Sequence, residues 1–209
     1  MAIVGAGLGG LAAALFLRRA GIEATLYEQA AELREVGAGI VVSPNMVRPL
    51  RRLGLGEALE RVAVRLDSAW EFRRWDDGRV LFVQPLGEAC ERLYGAPCYV
   101  AHRADLHGLL RDALPEEALR LDHRCIAVEQ HGAGAALTFA RKSGADLRAE
   151  ADVVVGADGI HSFIRDAVAP QAPASFSGSC AFRCLVPREH APELALRPVQ
   201  SLWLGPGRH

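Results

Sequence analysis

Ala2-Ile3-Val4-Gly5-Ala6-Gly7-Leu8-Gly9-Gly10 is a short apolar run that breaks into a glycine-rich turn, with Gly5, Gly7 and Gly10 at the spacing G-x-G-x-x-G. Read outward from the turn, residues 2–4 form a strand. Residues 11–20 read as a helix, with Arg18 and Arg19 in its last turn, where cations offset the helix dipole, and Gly21 just past its end. Residues 22–27 are the next strand. The whole fits within about thirty residues, the size of one βαβ unit, and predicts two parallel strands joined by a right-handed crossover.

The turn has the chemistry of a dinucleotide cradle. Gly5 permits a tight turn, Gly7 lets backbone approach a pyrophosphate without an intervening Cβ, and Gly10 lets helix and strand pack closely. The helix start adds free N–H groups and a partial positive charge. Glu28 closes the second strand about 20 residues beyond the turn, where a carboxylate accepts hydrogen bonds from a ribose diol. An acid there repels a 2′-phosphate, which favours FAD or NAD over NADP at this site. A bare G-x-G-x-x-G also fits a glycine-rich turn in an unrelated α/β protein, but strand, helix, second strand and terminal acid together favour the dinucleotide.

The 209 residues are 50% hydrophobic and 23% charged, which supports a folded core and argues against disorder or a coiled coil. That length fits one large domain, or one carrying part of a second. The 24 basic and 25 acidic residues leave a net charge of −1, and no basic block follows a phosphate backbone, so nucleic acid is not an expected partner. The five cysteines, Cys90, Cys98, Cys125, Cys180 and Cys184, include no C-x-x-C pair, so neither a disulfide framework nor a zinc knuckle is expected and the reducing cytoplasm is the simplest compartment. Residues 11–17 are far shorter than the roughly 20 of a membrane span and follow no basic segment, so they read as a core helix and no membrane partner is expected. No metal site is expected, because His102 and His107 are not at i, i+4 and the other histidines are dispersed.

Further along, residues 45–53 read as a helix with Asn45 as N-cap and an awkward Pro49. Trp70, Phe72, Trp75, Val80, Leu81 and Phe82 cluster around Asp77-Gly78, a two-residue hairpin signal that predicts an antiparallel excursion. Residues 104–114 return to helical spacing, with Leu106, Leu109, Leu110 and Ala113 on one face and Pro115 beyond. Strands are expected at 124–130 and 135–140. Residues 151–157, Ala-Asp-Val-Val-Val-Gly-Ala, read as a continuous strand buried on both faces and ended by Asp158-Gly159. Residues 180–186 and 199–204 are again β-like.

The chain resembles the flavin-dependent aromatic-ring hydroxylases, particularly those similar to salicylate and hydroxynicotinate monooxygenases. The likeness rests, in order, on the glycine turn, Tyr27-Glu28-Gln29, Gly37-Ala38-Gly39-Ile40 leading to Pro44-Asn45, His102-Arg103-Ala104-Asp105-Leu106, and Gly156-Ala157-Asp158-Gly159 with Ser162 and Arg165. It implies FAD as cofactor, NADH or NADPH as transient reductant, oxygen, and a small aromatic substrate, in all expectation an acid. It adds Gly39, Arg103, Cys125 and Asp158 to Gly5, Gly7, Gly10 and Glu28 as cofactor-binding residues. Arg103 would meet the pyrophosphate and ribitol region, which suits a guanidinium fork, and the backbone of Cys125 would lie beside the adenine. Asp158 would touch the FAD or cap the next helix, or do both. Arg183 matches a position near substrate and flavin and is the catalytic candidate, against the reading of an edge-strand surface Arg. Where hydroxynicotinate-type relatives carry a histidine base, this chain has Val41 and Val42.

The expected fold is therefore α/β: a Rossmann-like FAD/NAD(P)-binding domain with a mixed and antiparallel β portion of a substrate domain, cut short at the C-terminus before the family's second Gly-Asp segment. Residues 1–68 and 100–170 would bind FAD, 69–99 would be the antiparallel excursion, and 171–209 would begin the substrate-domain sheet. An edge left unpaired there would invite a homo-oligomer or a complementary C-terminal half. The competing reading is a non-catalytic FAD- or NAD-binding module without turnover.

Overall fold

The computed structural model describes residues 1–33, 38–169, 175–182, 184–191 and 199–207. In chain order the elements are β1 (Ala2–Val4), α1 (Leu8–Arg19), β2 (Thr25–Tyr27), β3 (Gly39–Val42), α2 (Pro44–Arg52), α3 (Gly56–Val62), β4 (Ala63–Arg65), β5 (Ala69–Arg74), β6 (Val80–Pro85) and α4 (Gly87–Tyr94). Then follow β7 (Tyr99–His102), α5 (Arg103–Asp112), β8 (Leu119–Arg120), β9 (Arg124–His131), β10 (Gly134–Ala140), β11 (Leu147–Ala151), β12 (Val154–Gly156), α6 (Phe163–Val168) and β13 (Gln200–Leu204). They fall into two units, one of Met1–Glu35 with His107–Cys180 and the other of Val36–Leu106 with Ala181–His209.

In the first unit β12, β1, β2 and β8 form an all-parallel sheet in that order. The chain leaves β1 for β2 on one side and returns much later as β12 on the other, so β1 marks the point where the strand order reverses. Ligands of open α/β sheets bind outside the carboxyl ends of the strands at such a point, and the glycine turn sits there. Strand alternation sends Ala2 and Val4 to one face, where they share a core with Leu137, Phe139, Cys125 and Ile164. The antiparallel sheet β11-β10-β9 covers that face. Ile3 points the other way beside Leu26, both fully buried, and α1 packs against β1 and β2 there with Leu11, Ala14 and Leu15 buried. After α1, Gly21 at φ +77 ends the helix while the Ile22 N–H reaches the Leu17 carbonyl at 2.9 Å, a glycine-type C-terminal motif.

The expected strand at 151–157 is divided. Residues up to Ala151 pair antiparallel with β10, and only Val154–Gly156 pair parallel with β1. One apolar run serves two sheets, so Asp152 and Val153 are used in passing between them, and Val153 is 48% exposed. Val154 and Val155 are half-buried and Gly156 is exposed, so β12 is not buried on both faces as expected, and among the described residues it lies at an edge of the parallel sheet.

In the second unit β3 and β4 flank β7 in an antiparallel sheet, and β13-β5-β6 form a mixed one with β13 parallel to β5. Leu66, Leu86, Cys90 and Cys98 make its apolar cluster, with Trp70 and Val100 packed against it. The antiparallel excursion is present as β5 and β6, but its turn is longer than two residues: Arg73 pairs with Val80, and of the turn residues only Gly78 has positive φ. A two-residue type I′ turn needs positive φ at both positions, and Asp77 instead accepts hydrogen bonds from the Arg79 N–H at 3.0 Å and from the Arg74 side chain. The N-cap expected at Asn45 lies two residues sooner, at Ser43, with Pro44 at the first helical position, which proline favours. Pro49 therefore lies in the second turn, where its missing N–H leaves the Asn45 carbonyl without the usual intrahelical partner.

Among the described residues no helix is long and apolar enough to cross a membrane, and no group of His, Cys, Asp and Glu is arranged to hold a metal ion.

Candidate dinucleotide site

Gly5, Gly7, Glu28, Cys125 and Asp158, far apart in sequence, line one cleft of about 630 Å³ in the first unit. Two of the three motif glycines are demanded by the protein itself. Gly5 has φ +101, and a Cβ there would run into the Ala157 carbonyl and lie 2.8 Å from the Asp158 Cα. A Cβ on Gly10 would overlap the Gly5 carbonyl oxygen and approach the Ala157 Cβ to 3.3 Å. Gly7 is different, because a Cβ there would meet nothing within 4 Å. Its bare backbone opens onto the cleft, as close approach by a phosphate requires.

Glu28 is held by its own backbone between two strand-end partners, its N–H donating to the Arg120 carbonyl and its carbonyl accepting from the His123 N–H, both at 2.8 Å. Its carboxylate ties the turn to β2: Oε2 accepts the Ala6 N–H at 2.8 Å and Oε1 the Ala30 N–H at 2.9 Å. Each carboxylate oxygen has a second lone-pair direction, so the same group can brace the loop and still receive a ribose hydroxyl.

Asp158 does the capping that the sequence allows. Its Oδ1 accepts the Ser162 hydroxyl at 2.5 Å, and its Oδ2 accepts the N–H groups of Phe163 and Ile164 at 2.7 and 3.1 Å. The Ser162 hydroxyl oxygen in turn accepts the Arg165 N–H at 2.9 Å. Asp158→Ala is expected to lower stability by about 1–2 kcal/mol, the range for losing a helix-capping oxygen, read as a lower denaturation midpoint without ligand.

Burial, and then the facing charge of Asp158, push the Cys125 thiol up from an ordinary 9.0 to about 11. Because the thiolate is the nucleophile, Cys125 is expected to be alkylated at pH 8 about a hundredfold more slowly than an exposed thiol of ordinary pKa. Exposed Cys180 and Cys184 should react first. Mass spectrometry during iodoacetamide treatment checks the order, and the Cys125 rate should climb as pH rises towards 11.

Arg103 and Gly39 belong to the other unit. Arg103 opens α5 with its N–H on the Ala38 carbonyl at 3.1 Å. Gly39 begins β3 opposite His102, and a Cβ there would only touch Val100 at 3.8 Å, an ordinary contact. Arg183 and Gly37 lie outside the described residues.

Three histidines of this region carried no signal in the sequence. His123 and His161 line the cleft, and His107, only 3% exposed, places Nε2 2.7 Å from the Ala6 carbonyl oxygen. That contact joins residues 101 apart, which no local periodicity encodes. A larger cavity of about 860 Å³, bounded by Glu32, Arg111, Pro115 and Arg120, contains none of the motif residues.

An adenine dinucleotide fits these donors and acceptors. The open backbone at Gly7 and the N-terminal amides of α1, which have no intrahelical acceptors, suit a pyrophosphate, and Glu28 suits a ribose diol.

Comparison with known proteins agrees with that fit. A family model described as an FAD binding domain matches residues 1–195. The chain is 44% identical over 209 residues to 3-amino-4-hydroxybenzoate 2-monooxygenase of Streptomyces cremeus, covering 100% of this chain and 52% of that protein. It is 39% identical over 188 residues to 6-hydroxynicotinate 3-monooxygenase of Pseudomonas fluorescens, covering 90% and 47%. Among solved structures, Klebsiella pneumoniae HpxO complexed with FAD and uric acid superposes with a TM-score of 0.68 at 30% identity, covering 79% of this chain and 40% of that one. The chain spans about half the length of the curated relatives it matches.

Proposed function

The chain belongs to the FAD binding domain family, and from that premise we propose that it is the FAD-holding portion of an NAD(P)H-consuming monooxygenase that hydroxylates a small aromatic acid. The observation that carries this reading is the single cleft in which the glycine turn, Glu28 and Asp158 meet. Bound FAD supplies the redox chemistry, drawing reducing equivalents from NADH or NADPH and activating oxygen. The residues of this chain do the holding. Gly7 and the first amides of α1 receive the pyrophosphate, Glu28 receives the adenosine ribose while bracing the loop, and Cys125 and Asp158 form the wall beside them.

Residues 1–68 with 100–170 are the proposed FAD-binding part, 69–99 the antiparallel excursion, and 171–209 the start of the substrate-domain sheet. Arg103 and Gly39 as cofactor contacts, and Arg183 as the residue near substrate, rest on the family resemblance. The exposed apolar run at 80–83 on β6 supports association with a second copy or with a complementary C-terminal half. Five free thiols support a reducing, cytoplasmic setting.

Titrating the purified chain with FAD and FMN tests the reading at its base. FAD should bind with quenching of its fluorescence and be displaced by ADP, while FMN, which lacks the adenosine half, should not bind. A colourless chain that takes up no FAD, or that prefers FMN, overturns the assignment. The reaction is tested on the chain together with any complementary half by following NADH and NADPH oxidation as aromatic acids are added. The first to try is 3-amino-4-hydroxybenzoate, the compound in the name of a 44% identical relative. FAD uptake with no stimulation by any aromatic acid would favour the non-catalytic module.

A further inference from the structure

Two consecutive peptide planes of the glycine turn are each gripped by a side chain from a distant segment. The N–H of Ala6 belongs to the plane between Gly5 and Ala6 and donates to Glu28 Oε2 at 2.8 Å, 22 residues away. The carbonyl of Ala6 belongs to the next plane, shared with the N–H of Gly7, and its oxygen lies 2.7 Å from His107 Nε2. A carbonyl oxygen can only accept, so Nε2 carries the proton. The peptide is trans, and a trans plane points its C=O and N–H in opposite directions. Turning the Ala6 oxygen to His107 therefore aims the Gly7 N–H away from His107, and Gly7 is the one motif glycine that lines the cleft and whose added Cβ would meet nothing within 4 Å.

We propose that His107 is a positioning residue of the cofactor site, locking the Ala6–Gly7 peptide so that the Gly7 N–H, rather than the Ala6 carbonyl, is presented to the dinucleotide pyrophosphate. The proposal rests on the reading of this cleft as the FAD site. Its physical basis is the sign of a dipole. With the lock released the plane can rotate, and a carbonyl oxygen facing a phosphate repels where an N–H attracts. At 3% exposure the His107 ring is shielded from competing water, which keeps such a bond strong.

The test compares the chain with His107→Leu, which keeps bulk but loses the donor, and His107→Gln, which keeps an N–H donor. His107→Leu should weaken FAD binding about tenfold or more, and His107→Gln should recover most of it. Leucine and wild-type chains with equal FAD affinity would overturn the proposal, and so would equal losses in both variants, which would mark a packing role only. On the ligand-free wild type, the 15N shift of Nε2 should be that of a protonated ring nitrogen. A deprotonated Nε2 would rule out the bond even if the leucine variant failed to fold. Wild-type chain that takes up no FAD would sink the reading of the cleft, whereas the nitrogen shift would still decide whether His107 holds the loop.

Discussion

Gly10→Ala is expected to abolish FAD uptake and to destabilise the folded chain by about 3 kcal/mol, at the upper end of what overpacking ordinarily costs. The added methyl would occupy the position of the Gly5 carbonyl oxygen and press on the Ala157 Cβ at 3.3 Å. Neither neighbour is the loose end of a side chain. Gly5 is the turn itself, with its N–H on the Tyr27 carbonyl at 2.8 Å, and Ala157 is tied by its N–H to the Val4 carbonyl at 2.8 Å. Relief of the clash would have to move the cradle. Gly9→Ala is the matched control: a Cβ at Gly9 meets nothing within 4 Å, and alanine favours the helix by up to about 1 kcal/mol. Denaturation midpoints and FAD titrations of the two variants check both halves. Normal flavin binding by Gly10→Ala would show that the turn is not held by this packing.

Glu28→Ala is expected to weaken FAD binding by about 1–3 kcal/mol, roughly fivefold to 150-fold, because the proposed ribose contact loses a charged acceptor. The structure adds a second loss. The N–H groups of Ala6 and Ala30 both end on this carboxylate, so the turn loosens even without ligand. The variant should therefore show a lower denaturation midpoint in the absence of flavin as well as weaker binding in its presence. A variant that binds FAD as the parent does would remove Glu28 from the site.

The glycine turn, the helix after it and the parallel pairing of its two strands were legible in the sequence because each is a local rule. Period 3.6 marks the helix, glycine spacing marks the turn, and a short βαβ crossover permits one hand only. The antiparallel excursion was legible for the same reason, through Asp77-Gly78 between apolar runs, although the turn there is longer than that dipeptide suggests. Apolarity alone did not reveal that residues 151–157 serve two sheets. A buried run looks the same whichever neighbour it pairs with, and the partition at Asp152 and Val153 is set by competition between β10 and β1 for partners.

The site divides in the same way. Gly5, Gly7, Gly10 and Glu28 could be named as candidates from order and spacing, since the chemistry of a pyrophosphate and a ribose calls for those residue types within one βαβ unit. Asp158 and Cys125 were reached through family resemblance, and their common cleft exists only once β12 lies beside β1 and β9 packs above it. His107 could be recognised only in three dimensions. By itself the sequence determined which backbone could cradle a dinucleotide, because that is a property of residues close together along the chain. Tertiary structure decided what holds the cradle in shape, because those hydrogen bonds span 22 and 101 residues and arise only when the fold brings their ends together.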